Sequence, residues 1–250
     1  MSAIVNWAIV PVKIFDQVKQ RLAGLLSAAE RQALVAALLG DLLNELAQLN
    51  DLDGVLIASS EPQVAALLPD SRFIVVAEPA GVEGLNAAVS WALTEVQSRG
   101  ASHAVVLHGD LAIARAEDIS RLLNSVKTPN FPVAIAPDWR GDGSNGMAFV
   151  LPSVIDMQYG KDSFHRHCAA IQQQGFEPLV VDKTTLAFDV DTAPDLALLI
   201  QLHHLGLTGE KTAALLNSWD VDHRFATSGP EFVAPPMNLV EQNLKDVQRG

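Results

Sequence analysis

From residue 3 to about residue 205, short apolar runs alternate with stretches of helical periodicity, and this alternation limits the fold more than any single motif does. Runs at 3–12, 53–59, 72–77, 103–110, 133–136 and 147–151 are rich in Val, Ile and Ala, as strands are. Helical spacing fills 27–49, 61–68, 85–98 and 116–126. The first of these opens on Ser27-Ala28-Ala29-Glu30, a capping box in which hydroxyl and carboxylate satisfy reciprocal backbone N–H groups. Its face runs through Leu34, Ala37, Leu38, Asp41, Leu42 and Leu46. Gly100 stands where a helix ending near Ser98 needs its C-terminal glycine. Helices over 162–174 and 193–205 and strands over 179–182 and 186–191 complete the pattern. The expected fold is therefore α/β, a mainly parallel sheet with helices on both faces. No linker interrupts residues 1–205, which read as one domain. Residues 206–250 read as a C-terminal extension packing on that domain or on a second subunit, with Pro230, Pro235 and Pro236 suggesting an extended arm.

Composition narrows the partners. The 250 residues carry 17 Lys+Arg against 29 Asp+Glu, a net charge of −12, which opposes nucleic acid and anionic membranes as partners. At 49% hydrophobic and 18% charged, the chain has the means to build a core and is not a disordered type. No long uninterrupted apolar run reads as a membrane span, and the start lacks the basic residues of a signal peptide. One cysteine, Cys168, excludes an internal disulfide framework. The expectation is a soluble cytoplasmic protein. An anionic ligand would then need a local basic pocket or a bridging cation.

Both are present as candidates. Asp110 ends a buried apolar run, where open α/β sheets place their ligands, although a helix cap or turn reads equally well for a lone residue. Asp189 and Asp191 alternate, so in a strand they share a face and call for a cation or donors. Asp191 can instead cap the helix that opens at Thr192-Ala193-Pro194-Asp195. Asp110 with Asp189 or Asp191 offers oxygen ligands of the kind Mg²⁺ takes. Lys13, Lys19 and Arg21 follow the first strand and could clamp a polyphosphate, or form a solvated basic loop. The loop from Arg140 to Gly146, with Ser144 and Asn145, suits an anion or a plain hairpin-like connection. His165-Arg166-His167-Cys168 holds metal-type residues, but neighbours on a helix face different ways; Arg166 or His167 near a phosphate reads better than zinc. His103, His108, His203 and His204 read as structural. A P-loop and a G-x-S-x-G elbow are missing and no G-x-G-x-x-G follows the first strand, which disfavours dinucleotide and serine-hydrolase chemistry.

Six segments in order carry a resemblance over about residues 4–205. They are Val10-Pro11-Val12-Lys13 with Lys19-Gln20-Arg21-Leu22, Gly84-Leu85-Asn86-Ala87-Ala88, Gly109-Asp110-Leu111, Gly143-Ser144-Asn145, Tyr159-Gly160-Lys161-Asp162-Ser163-Phe164, and Asp189-Val190-Asp191 running into Thr192-Ala193-Pro194-Asp195-Leu196. Together they resemble the guanylyltransferases of coenzyme F-420 biosynthesis, often called CofC or FbiD. That resemblance implies a nucleotidyltransferase sheet of the kind shared with sugar-nucleotide and molybdenum-cofactor enzymes. It also implies attack of a phosphorylated three-carbon acid on the α-phosphate of GTP, with release of pyrophosphate. The family's acceptors are 2-phospho-L-lactate, phosphoenolpyruvate and 3-phospho-D-glycerate. Carried onto this sequence, Asp110 and Asp189 resemble the Mg²⁺ ligands, with Asp191 beside them. Lys13, Lys19 and Arg21 resemble the triphosphate clamp. Gly84, Leu85 and Asn86 fall where the family meets guanosine, and Ser144, Gly160 and Ser163 where it holds the acceptor's phosphate and carboxylate. Ala112 replaces a proline usual after the metal motif, and Ser144 stands where threonine is common. A nucleotidyltransferase with another nucleotide or acceptor, a nucleotide-binding relative without turnover, and a homodimer remain open beside this reading.

Overall fold

Along the computed structural model, which describes residues 4–12, 19–127, 130–225 and 232–234, the strands are β1 (Asn6–Pro11), β2 (Gly54–Ala58), β3 (Phe73–Val76), β4 (His103–Leu107), β5 (Val133–Pro137), β6 (Ser144–Val150) and β7 (Leu179–Val180). They form one sheet in the order β3-β2-β1-β4-β6-β5-β7. Every pairing is parallel except those of β6, which runs antiparallel to both β4 and β5. The helices are α1 (Ala28–Ala47), α2 (Gly84–Ser98), α3 (Ala116–Ser125), α4 (Ser163–Gln173), α5 (Ala193–His204), α6 (Glu210–Ser218) and α7 (Val221–Phe225). No described helix is long and apolar enough to cross a membrane.

Strand alternation sends neighbouring residues to opposite faces, and both faces are covered. Ala8, Val10, Val55, Ile57, Val105 and Leu107 pack under α1 and α3, against Leu39, Leu43, Leu46, Ile119 and Leu122. Ile9, Leu56, Ala104, Val106 and Phe149 pack against Val89, Ala92 and Val96 of α2 and Ile171 of α4. Burying each Val, Leu, Ile or Phe side chain fully is worth about 1.5–3 kcal/mol before entropy is counted. The capping box forms as the sequence predicts: Ser27 Oγ accepts from Glu30 N, and Ser27 N donates to Glu30 Oε2 at 2.8 Å.

Two expected elements differ. Residues 61–68, read as a helix, make a 3-10 turn over Pro62–Leu67 in which Val64 alone is buried, too narrow an apolar face to hold an α-helix. Residues 186–191, read as a strand, instead make a 3-10 turn over Thr185–Ala187 and a single antiparallel bridge from Asp189 to Leu111. Their partner is the loop after β4, which offers no ladder to extend.

Asp41, the polar residue on the apolar face of α1, receives the start of α6. Its Oδ1 accepts from Lys211 N at 2.9 Å and its Oδ2 from Thr212 N at 2.8 Å. Gly209 permits the approach, because a Cβ there would stand 2.3 Å from Asp41 Cγ. Phe225 of α7 stacks on Phe232 at 4.9 Å. The remainder of the expected arm, residues 226–231 and 235–250, lies outside the described residues.

Candidate active site

The chain leaves β1 for β2 and β3 on one side of the sheet, while β4 pairs with the other side of β1. The C-terminal ends of β1 and β4 thus flank a switch point, the place where open α/β sheets bind ligands. Asp110 lies just beyond β4. Because β6 is reversed, its beginning also faces this edge, with Gly146 paired to Leu107.

Lys19 stands between two carboxylates. Its Nζ donates to Asp110 Oδ2 and, at 2.6 Å, to Asp191 Oδ1, and its side chain is only 6% exposed. A left-handed backbone (φ 53°) at the start of the 3-10 turn Gln20–Leu22 aims it there. Burial works against its charge, but Asp110 and Asp191 outweigh burial and hold its pKa above the usual lysine value. Burial likewise opposes ionisation of Asp110, and Lys19, then His108, overcome it and keep the carboxyl below the usual range. Asp110 Oδ1 is buried and finds no donor among the described residues. Asp189 Oδ1 accepts from Asn145 Nδ2 at 3.2 Å. Burial, then the charges of Asp110 and Asp191, push the Asp189 carboxyl up to about 7.

Three carboxylates against one ammonium leave surplus negative charge, an undonated oxygen and a carboxyl reluctant to ionise. All-oxygen donors of this kind fit a hard divalent cation. Among the described residues no three such groups are gathered as a finished ligand set, because Lys19 stands between Asp110 and Asp191. Lys13 lies outside the described residues. Arg21 is exposed in the turn that follows Lys19.

The second group of candidate residues is built from neutral side chains. Ser144 and Ser163 meet, Ser144 N donating to Ser163 Oγ at 3.1 Å, and both are buried. Gln158 N donates to His167 Nε2 at 2.9 Å, so Nδ1 carries the ring proton and donates to Ser144 Oγ at 2.9 Å. Burial, then Arg166 and His108, press His167 down to about 4 and keep it neutral. Ser144 and Ser163 therefore form an inner layer. Gly160 (φ 120°) lies outside it, where its carbonyl accepts from Ser163 N at 3.2 Å. Asn86, near the start of α2, donates through Nδ2 to Tyr159 O at 3.2 Å and accepts from Tyr159 N through Oδ1 at 2.6 Å. The Asn86 amide is thus engaged with backbone, joining Gly84 and Leu85 to the Gly160 turn.

The sequence marks Asn145 only as a polar member of the Gly-rich loop, His167 only as a group near a phosphate and Tyr159 only as part of a motif; the contacts that place them are new. His167 had a signal: it follows Ser163 by one helical turn, so the two share a face of α4. Asn145 sat inside the Gly-rich loop but gained meaning only when β6 brought it to Asp189.

A family described as guanylyl transferase CofC like matches residues 6–232. The chain is 34% identical over 197 residues to a phosphoenolpyruvate guanylyltransferase of Conexibacter woesei, covering 79% of this chain and 88% of that one. It is 31% identical over 199 residues to a 2-phospho-L-lactate guanylyltransferase of Methanothermobacter thermautotrophicus, covering 80% and 85%. Among solved structures, CMP:2-keto-3-deoxy-manno-octonic acid synthetase complexed with CTP shares the fold at a TM-score of 0.56 and 14% identity, over 81% of this chain and 100% of that one. The matched family region takes in both groups of site residues, and the sheet is the one such transferases use. The chain belongs to the CofC-like guanylyl transferases.

Proposed function

We propose that this guanylyltransferase moves GMP from GTP to the phosphate of a small phosphorylated acid: 2-phospho-L-lactate, phosphoenolpyruvate or 3-phospho-D-glycerate. A phosphate oxygen of the acid bonds to the α-phosphorus of GTP, the bond to the β-phosphate bridge breaks, and pyrophosphate leaves. The observation that carries this reading is Lys19 held between Asp110 and Asp191, beside Asp189, at the ends of β1 and β4. In this reading Mg²⁺, held by Asp110 and Asp189 with Asp191 adjacent, supplies neutralisation of phosphate charge. Lys19, with Lys13 and Arg21, draws the triphosphate into line and receives the charge that collects on the leaving pyrophosphate. Guanosine lies over Gly84, Leu85 and Asn86, and the acid against Gly160, with Ser144 and Ser163 supporting that wall from behind. A phosphate monoester is already an anionic nucleophile near neutral pH, so no side chain has to remove a proton. The same reading places the reaction in the cytoplasm, within coenzyme F-420 biosynthesis.

Incubation with GTP, Mg²⁺ and each acid in turn, following pyrophosphate, tests this. Release is expected with at least one acid, and faster with GTP than with ATP or CTP. Equal use of ATP and GTP, or release only with a sugar phosphate, would overturn it.

A further inference from the structure

If the acceptor's phosphate is the nucleophile, it must face the Asp110–Asp189 corner, and a short carbon frame then carries the carboxylate away from that corner. This second anionic group needs a cation in a chain whose net charge is −12. Several described cations near the edge are already committed. Lys19 is held by Asp110 and Asp191. Arg140 lies over the Trp139 ring and donates to the buried Asp195 at 2.6 Å. Arg115 is shared between Glu45 and the carbonyl of Leu207.

Arg166 differs. It is exposed, and among the described residues it pairs with no carboxylate. Its guanidinium overhangs Gly160, with Nη2 3.2 Å from where a Cβ would stand. Its charge is felt at the site, as one of the causes that hold His167 neutral. Its base is firm, because Ser163 and His167 on the same helix are hydrogen-bonded to Ser144 at the start of β6. Gly160 leaves the space in front of the fork open.

We propose that Arg166 is the carboxylate receptor of the acceptor site, its planar fork taking both carboxylate oxygens beside Gly160. It thereby selects phosphorylated acids over phosphate esters that lack a carboxylate. Paired N–H donors match a carboxylate in a way a lysine ammonium does not. The inference rests on the guanylyl-transfer reading above.

The test compares wild type, Arg166→Gln and Arg166→Lys in pyrophosphate release. Substrates are the acid the wild type uses best and the matched phosphate ester with the carboxylate reduced to an alcohol. GTP binding is measured separately by calorimetry. Arg166→Gln should raise the KM for the acid by about ten- to a hundredfold, the loss of a charged hydrogen-bonded contact. GTP affinity should hold, the preference for acid over ester should collapse, and Arg166→Lys should recover part of it. An unchanged acid KM, or an equal loss on the ester, overturns the inference while leaving the transfer reaction intact. A wild type that transfers GMP to none of the acids overturns the transfer reading and the inference together.

Discussion

The corner around Lys19 gathers ionised groups, whereas the corner around His167 is built from neutral ones that answer one another. In the first, Asp110 Oδ1 has no donor among the described residues, and the Asp189 carboxyl is pushed up to about 7 by burial and its acidic neighbours. In the second, Gln158 N, His167, Ser144 and Ser163 form a chain of hydrogen bonds, and the orphan there is a neutral one, the buried Tyr159 hydroxyl beside His167. The charged corner is under electrostatic demand and can take a ligand's charge. The neutral corner carries no surplus charge, and its two serines are engaged with each other and with His167.

That contrast is broken most directly through activity. Asp110→Asn should lower turnover by more than about a hundredfold, beyond the usual cost of losing a group that merely supports a metal ligand. Its melting temperature should change little, since Lys19 keeps Asp191 and gains an amide oxygen. Ser144→Ala should cost far less turnover and more stability. Equal losses of turnover in the two variants would mean that both corners touch substrate.

The next largest effect is on pH dependence. His167 is held near 4 against an ordinary value of 6.5, so the unfolded chain binds its proton first. The stability it protects is complete above about pH 6.5 and drains away as pH falls toward 4. Thermal melts of His167→Gln across that window should lose this slope. A slope equal to wild type would show that the ring is not held neutral.

Asp189 should act with the opposite sign. Its folded pKa is raised from 3.8 to about 7, so its contribution is most favourable at low pH and is lost as pH rises through 7. With a chelator present, Asp189→Asn should melt higher than wild type at pH 8, and the gain should shrink through pH 5 and vanish below about pH 4. A lower melting temperature at pH 8 would mean that the Asn145 contact outweighs the charge.

Strand–helix alternation and the Ser27 box were legible because each rests on spacing within one short segment. Asp110 was legible for a similar reason, as the polar end of an apolar run. The 186–191 segment was not, because it reads as a strand, while among the described residues its one β-bridge goes to a loop and its other partners include the Asn145 side chain and Trp139 N. Nor was the inward turn of Ser144 and Ser163: it depends on His167, which reaches them from α4, and on the reversed direction of β6. The tie from the Asn86 amide to the backbone of the distant Tyr159 was not legible either. Local periodicity reaches the reader; pairing across the sheet does not.

The reversal of β6 has a consequence for how such a site can change over descent. Loops leaving parallel strands must lead into helices, so altering their length disturbs the packing beyond them. Between β5 and β6 the edge is closed instead by a hairpin turn, clasped by Asp138 N donating to Gly143 O at 2.9 Å and touching α4 where Phe164 N donates to Asp142 O at 3.0 Å. A surface turn of this kind tolerates insertion and deletion at small entropic cost. The proposed acceptor side can therefore be remodelled, residue by residue, while Asp110 stays at the end of β4.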